Sequence, residues 1–283
     1  APPAASAVLS ALVVKGSFFI VIRIWFDAMP GVPGIGAAQI LATMGAAAIL
    51  FGSVIALRQQ RLKLLIAYST LAQIGYLFIM FPLAFDPAVG ALVRGDALTG
   101  GLLQAISHAT AKAAMFLSAG LIYATLGHDR IGEMAGVARV IPISVLAFAV
   151  GGIALMGIVP SGAYLAKKLL LGAAEGSGQW WWSLVLDVGG FLTASYVVLV
   201  IAQALAKPAA TIVPRVRVPR SQELAALALA VCSLLLSLAV LGPVPESLIS
   251  NPLAPKELLS SATIIVGGAL LVLAYSRELP RFA

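Results

Sequence analysis

Hydrophobic positions in this chain do not alternate. They come in runs of about 20 residues, the length an α-helix needs to cross hydrocarbon. The runs predict helices at about 4–26, 37–57, 64–83, 97–126, 182–205, 222–242 and 259–276, and a longer apolar stretch at about 139–174 is interrupted near Pro160. Polar breakers separate them: DAMPGVPG at 27–34, RQQRLK at 58–63, DPAVG at 86–90, HDRIGE at 128–133 and KPAATIVPRVRVPR at 207–220. A transmembrane β-barrel would instead show alternating ten-residue segments. The expectation is an all-α, polytopic transmembrane helix bundle. It divides into a main bundle over 1–205 and, over 206–283, a basic loop followed by two further helices.

Charge decides how the interrupted stretch is counted. If 139–174 crosses once, Arg58, Arg61, Lys63, Arg130, Arg139, Lys207, Arg215, Arg217, Arg220, Arg277 and Arg281 share one side. The other side then keeps Arg94 and Lys256 with Asp27, Asp86, Asp96, Glu175, Glu246 and Glu257. Two crossings would move the 207–220 cluster away from RQQRLK. The positive-inside rule therefore predicts one broken helix, eight crossings, and both ends of this chain on the cytoplasmic side of a bacterial-type plasma membrane. Arg23, near a helix end, can snorkel without disturbing the count. A helix broken at membrane depth frees backbone groups that protein or water must satisfy. Gly157, Pro160 and Gly162 supply the break in ALMGIVPSGAYLAKKLLL. It reads either as part of a transport site or as a kink that serves packing.

Composition narrows the chemistry. The chain is 61% hydrophobic and 10% charged. Its net charge of +7 reads as a topology signal, with lipid as the surrounding partner and no nucleic acid. One cysteine, Cys232, excludes a protein-held iron–sulfur cluster and an intrachain disulfide. No phosphate-binding loop, nucleophile triad or metal constellation is visible, so no cofactor and no active site of its own are expected. The chain opens APPAAS, without methionine or a recognisable signal peptide. That start suggests a fragment or one half of a split protein. Small residues at Ala42, Gly45, Ala46, Gly52, Gly151 and Gly152 point to close helix packing. The WWW run at 180–182 reads as an interfacial aromatic belt.

Inside the apolar runs stand Lys15, Lys112, Lys167, Lys168 and Asp187, with His108 as a titratable neutral group. A lysine at mid-bilayer costs about 2.5–3.5 kcal/mol on insertion scales. His108 and Lys112, four apart, share one helix face, with Ser107 and Thr110 adding hydroxyls nearby. Lysines, a histidine and water spaced across a bundle make a proton relay. The competing readings are structural: a hydrogen-bonding role for His108, snorkelling for Lys168, and an interfacial position for Asp187.

Four segments resemble the antiporter-like membrane subunits of respiratory complex I, membrane-bound hydrogenases and Mrp cation/proton antiporters. RLKLLIAYSTLAQIGYL resembles the family's D-L-K-R-L-L-A-Y-S-S helix start through Lys63, Ala67, Tyr68, Ser69 and Gly75, with Arg61 where the family has aspartate. SHATAKAAMFLSAG is similar to H-A-x-x-K-A-x-x-F-x-x-x-G through His108, Lys112, Phe116 and Gly120. GIVPSGAYLAK resembles G-x-P-x-x-G-F-x-x-K through Gly157, Pro160, Tyr164 and Lys167. APPAASAVLSALVVKGSFFIVIR resembles the helix that carries Lys15, in a style nearest the Mrp D-type subunits.

The resemblance implies a proton-translocating subunit, or its C-terminal half, of a redox-linked or cation/proton-antiporting complex. Lys15 then links two half-channels, His108 and Lys112 lie on a central axis, and Lys167 serves the exit. Lys63, Tyr164, Ser107, Thr110 and Asp187 are candidates for supporting roles. Partners are the other membrane subunits, including a chain or segment carrying the earlier repeat. A secondary sodium/proton antiporter and a non-conducting scaffold half are the alternatives.

Overall fold

The computed structural model describes residues 2–29, 31–86, 90–92, 95–208, 212–239 and 254–275. Among these the chain is helical, with two isolated β-bridges and no strand. The helices are α1 (Pro3–Ala28), α2 (Ile35–Leu57), α3 (Leu62–Leu83), α4 (Asp96–Leu126), α5 (Pro142–Leu155), α6 (Gly162–Gly176), α7 (Trp180–Leu205), α8 (Arg220–Ala239) and α9 (Pro255–Tyr275). Seven are long and apolar enough to cross a membrane; α5 and α6 are the shorter exceptions. Two π-helical segments, Leu9–Val13 and Ile24–Ala28, interrupt α1.

Loop contacts fix the direction of each helix. The RQQRLK and HDRIGE loops pair at Arg61 and Arg130, where Leu62 N donates to Asp129 O (2.7 Å) and Ile131 N to Gln60 O (2.8 Å). Arg215, in the 207–220 loop, donates its backbone N–H to Thr125 O (2.8 Å). Three loops, two of them basic, therefore meet at one end of the bundle. At the other end the Gln179 amide, just before α7, reaches Pro82 O at 3.0 Å. The chain leaves the basic end before α5 and arrives at the opposite end after α6. The α5–α6 pair is thus one traverse, as the charge pattern predicts. Of the charges used in that sorting, Arg94, Glu246, Arg277 and Arg281 lie outside the described residues.

α4 is the central strut, packed against α1, α3, α5, α6 and α8. Rings from α1 and α3 seal its flank, with Trp25 and Phe81 centroids 4.9 Å apart. α2 and α3 approach until their backbones touch. A Cβ on Gly45 would stand 2.6 Å from Gly75 O, and one on Gly52 would stand 2.7 Å from Ala72 N. The small-residue pattern in α2 is therefore a helix–helix contact. The tryptophan run divides: Trp180 is 69% exposed, whereas Trp182 is buried and donates to Gln39 Oε1 at 3.2 Å. Only part of the run fits a belt.

One carboxylate anchors the outer layer. Glu223 of α8 is buried and accepts from both N–H (2.9 Å) and Oγ (2.8 Å) of Ser144, in the first turn of α5. A carboxylate at a helix N-terminus meets unpaired N–H groups and the positive end of the helix dipole. Outside the membrane-spanning segments, Glu133 bonds Arg130 at 3.0 Å, and that bond holds its carboxyl below the usual range.

Two outcomes test this packing. Gly52→Val is expected to lower stability by about 1–3 kcal/mol through overpacking, read as a reduced melting temperature in detergent. Because the folded Glu133 is the stronger acid, its ion pair is present above the ordinary carboxylate range and lost as pH falls through the folded value. Arg130→Ala should raise the Glu133 titration toward 4.5 in carboxyl-resolved NMR.

Candidate functional site

The site is built from oxygen atoms that α3 presents to α4. Lys112 has no exposed surface, and its amine donates to Ile66 O at 3.2 Å and to Ser69 Oγ. Ser69 and Thr70 hydroxyls also donate to Ile66 O, each at 2.9 Å. From α1, Ser10 Oγ meets Thr70 Oγ1 at 3.0 Å, and the Lys15 amine donates to Ser10 O within the π-helical segment. Ser10, Thr70, Ile66 and Ser69 thus form one oxygen cluster between the two amines. Lys15 lies within electrostatic reach of His108 and Lys112. His108 is fully buried, and neither ring nitrogen has a hydrogen-bond partner among the described residues.

Beyond Lys112, neutral polar side chains continue toward the break. The Tyr196 hydroxyl of α7 lies beside Ser69, Gln73 and Thr193 without closing a hydrogen bond. Gln73 donates to Thr193 Oγ1 at 3.2 Å, Gln104 donates to Gln73 Oε1 at 2.9 Å, and Tyr76 faces Thr193. Gln73, Tyr76, Gln104 and Lys167 line a small cavity of about 20 Å³, room for about one water. Lys167 bonds Asp187 of α7 at 2.8 Å, and both line an open cleft of about 320 Å³.

The broken helix is satisfied by protein. Ser161 caps α6, its Oγ accepting from Tyr164 N at 3.0 Å, and Ser161 N donates to Ile158 O at 2.8 Å. From α8, Ser237 donates to Pro160 O and Ser233 donates to Ser107 O (3.0 Å). Gly157 has φ +72° where α5 ends. Gly162 opens α6, and a Cβ on it would stand 2.9 Å from Leu236 of α8 and 3.1 Å from Ser107.

The structure thus sets Lys15 and Lys112 on one oxygen cluster, with His108 within electrostatic reach of both, and places Lys167 at the small cavity beyond Gln73 and Gln104. The supporting candidates divide. Asp187 pairs with Lys167, and Tyr164 lines the cleft with its ring 5.8 Å from the Lys168 amine. Thr110 spends its hydroxyl on Ile106 O and Ser107 O of its own helix. Ser107 is buried with an unpartnered hydroxyl. Lys63 stands at the basic end, its amine 4.2 Å from the Tyr123 ring centroid and apart from the line. Lys168 is paired with Glu257 of α9 at 2.9 Å.

Reasoning from charges missed Ser10, Ser69, Thr70, Gln73, Gln104, Thr193 and Tyr196. The signal for them was present: hydroxyls and amides inside apolar runs, where hydrocarbon offers them nothing.

Comparison with known proteins places these residues in context. Residues 1–193 match the family model described as NADH:quinone oxidoreductase/Mrp antiporter, transmembrane. The chain is 33% identical over 260 residues to NADH-quinone oxidoreductase subunit N of Desulforudis audaxviator, covering 88% of this chain and 50% of that one. It is 32% identical over 173 residues to F(420)H(2) dehydrogenase subunit M of Methanosarcina mazei, covering 60% of this chain and 32% of the relative. The Mrp complex of Dietzia sp. contains a chain with TM-score 0.71 and 24% identity, matched over 97% of this chain and 54% of its own. An archaeal membrane-bound sulfane sulfur reductase gives TM-score 0.71 at 21% identity, over 96% of this chain and 51% of its own. The chain therefore spans about half the length of the subunit N relative and of these structural neighbours, and the structural likeness speaks for the fold.

Whether the Lys112 amine serves packing or chemistry is testable through stability. Ile66 O keeps its two hydroxyl donors without it. Lys112→Met is expected to fold and to melt at or above the unmodified temperature, because it removes a desolvated amine. A large loss of stability would make the lysine structural.

Proposed function

The chain belongs to the NADH:quinone oxidoreductase/Mrp antiporter membrane family, and from that premise we propose that it moves protons along the line from Lys15 through His108 and Lys112 to Lys167. It works as one subunit, or the C-terminal half of one, within a multisubunit membrane complex. The basic end faces the cytoplasm of a bacterial-type plasma membrane, following the positive-inside rule. Residues 1–205 form the conducting bundle, and 206–283 add the basic loop and the two flanking helices.

The observation that carries this reading is the placement of Lys112. A fully buried amine, held only by a hydroxyl and a carbonyl, has no counter-ion among its hydrogen-bond partners. Such an amine changes protonation state far more readily than a salt-bridged one. On the α1 side the Ser10–Thr70 oxygen cluster leads back to Lys15; on the other side the Gln73, Gln104 and Thr193 groups lead on to Lys167. The two unpartnered nitrogens of His108 favour water beside it, since buried polar atoms are almost always hydrogen-bonded. Water there would join His108 to its neighbours. The energy comes from partner subunits, in which redox or ion-transfer chemistry drives the proton.

The test is proton pumping by the assembled complex in proteoliposomes. Lys112→Ala and Lys167→Ala, each in complexes of normal subunit content, are expected to lower pumping by roughly tenfold or more, the loss produced by about 1.4 kcal/mol or more at a rate-limiting step. Unchanged pumping in both variants overturns the reading. Sodium-dependent exchange without redox substrate would point to the antiporter alternative, which needs mid-membrane carboxylates or clustered carbonyls.

A further inference from the structure

Lys167 stands between two spaces of different size and lining. On one side is the small cavity with Gln73, Tyr76 and Gln104; on the other is the larger cleft with Glu175, Asp187 and Lys256. Among the described residues only Lys167 and Gly157 line both, and glycine contributes no side chain, so the Lys167 side chain is the one that borders both spaces. Its amine rests on the cleft side, 2.8 Å from Asp187 Oδ1. The Lys167 side chain is 15% exposed and that of Asp187 51%. Such a part-exposed ion pair is weak.

The surroundings keep this pair distinct. Lys168, next along α6, is paired with Glu257 of α9. Gly190, three residues beyond Asp187 on α7, leaves room for the amine: a Cβ there would stand 3.3 Å from Nζ. The amine therefore lies along a strip of α7 that runs from Asp187 at the cleft to Gly190 in the cavity wall.

Building on the proposed conduction, we propose that Asp187 is a positioning residue that latches the Lys167 amine on the cleft side and so makes it a two-position carrier. In the inner position the neutral amine faces Gln73 and Gln104 and takes a proton from the line, becoming ammonium. The ammonium swings to the Asp187 carboxylate. It releases the proton to water in the cleft, returns to the neutral amine, loses its attraction to Asp187 and swings back. One proton crosses per cycle, and cavity and cleft are never joined by an open water path.

The test uses the assembled complex in proteoliposomes with a pH-sensitive dye inside. Asp187→Asn keeps the shape and removes the charge. It is expected to raise passive proton permeability, with no driving substrate, roughly threefold to fivefold, in proportion to one part-exposed ion pair. Asp187→Glu should restore tightness, and Lys112→Ala combined with Asp187→Asn should suppress the leak, because the leak runs along the same line. Gly190→Ala, which crowds the amine while keeping the carboxylate, should also leak and covers the case in which Asp187→Asn fails to assemble. Tight vesicles for both Asp187→Asn and Gly190→Ala overturn the latch, as does a leak that Asp187→Glu leaves in place. Lys112→Ala and Lys167→Ala, each alone, separate the two proposals. Pumping lost there with tight Asp187→Asn vesicles removes only the latch, whereas pumping retained in both removes the conduction reading itself.

Discussion

A charged nitrogen inside a low-dielectric bundle must be given oxygens or it will not be there. The Lys112 amine meets that requirement with a backbone carbonyl and a hydroxyl from the neighbouring helix, and much of the architecture follows. α3 has to run close enough to α4 to offer Ile66 O and Ser69 Oγ. α2 has to stay thin at Gly45 and Gly52 so that α3 can be held there from behind. α1 has to bring Ser10 to Thr70, and its π-helical winding at Leu9–Val13 is where Lys15 finds a carbonyl. The choice of oxygens matters as much as their number. A carboxylate would fix the amine in its charged form, whereas a hydroxyl and a carbonyl hold either form.

The broken traverse works by the same rule. Interrupting a helix between Leu155 and Gly162 exposes carbonyls and N–H groups that hydrocarbon cannot satisfy. Ser161 supplies the cap on α6, and α8 lays Ser233 and Ser237, one turn apart, against the carbonyls of Ser107 and Pro160. α8 is thereby tied to α4 and to the break together, and Glu223 ties its other end to α5. An outer helix of ordinary apolar composition thus holds the geometry of the centre with three polar side chains.

Much of this was legible in the sequence because hydrocarbon imposes a length and a charge rule. Run lengths placed the helices, and the loop arginines and lysines sorted the interrupted stretch into one traverse, which the Gln179–Pro82 and Arg215–Thr125 contacts bear out. The i, i+4 spacing put His108 and Lys112 on one buried face. The neutral members of the site were illegible to a reading that counted charges. Gln73, Gln104 and Thr193 look like ordinary tolerated residues until two helices face each other, since their partners stand 31 to 120 residues away. Partner choice among charges was equally hidden. Lys168 has the sequence character of a snorkelling residue, yet Glu257 on α9 holds it, and nothing local forecasts that encounter. Trp182, which continues a belt-like run, turns inward because Gln39 offers its indole an acceptor.

The backbone contact between α2 and α3 has an electrical consequence. Where Gly45 meets Gly75 and Gly52 meets Ala72 there is no gap for a water file. That seam is a dielectric wall along one flank of the polar line. Solvent cannot screen charge on the amines from that side, so the oxygens on the other flanks must do so. For the proposed conduction, Gly45, Gly52 and Gly75 are the insulation.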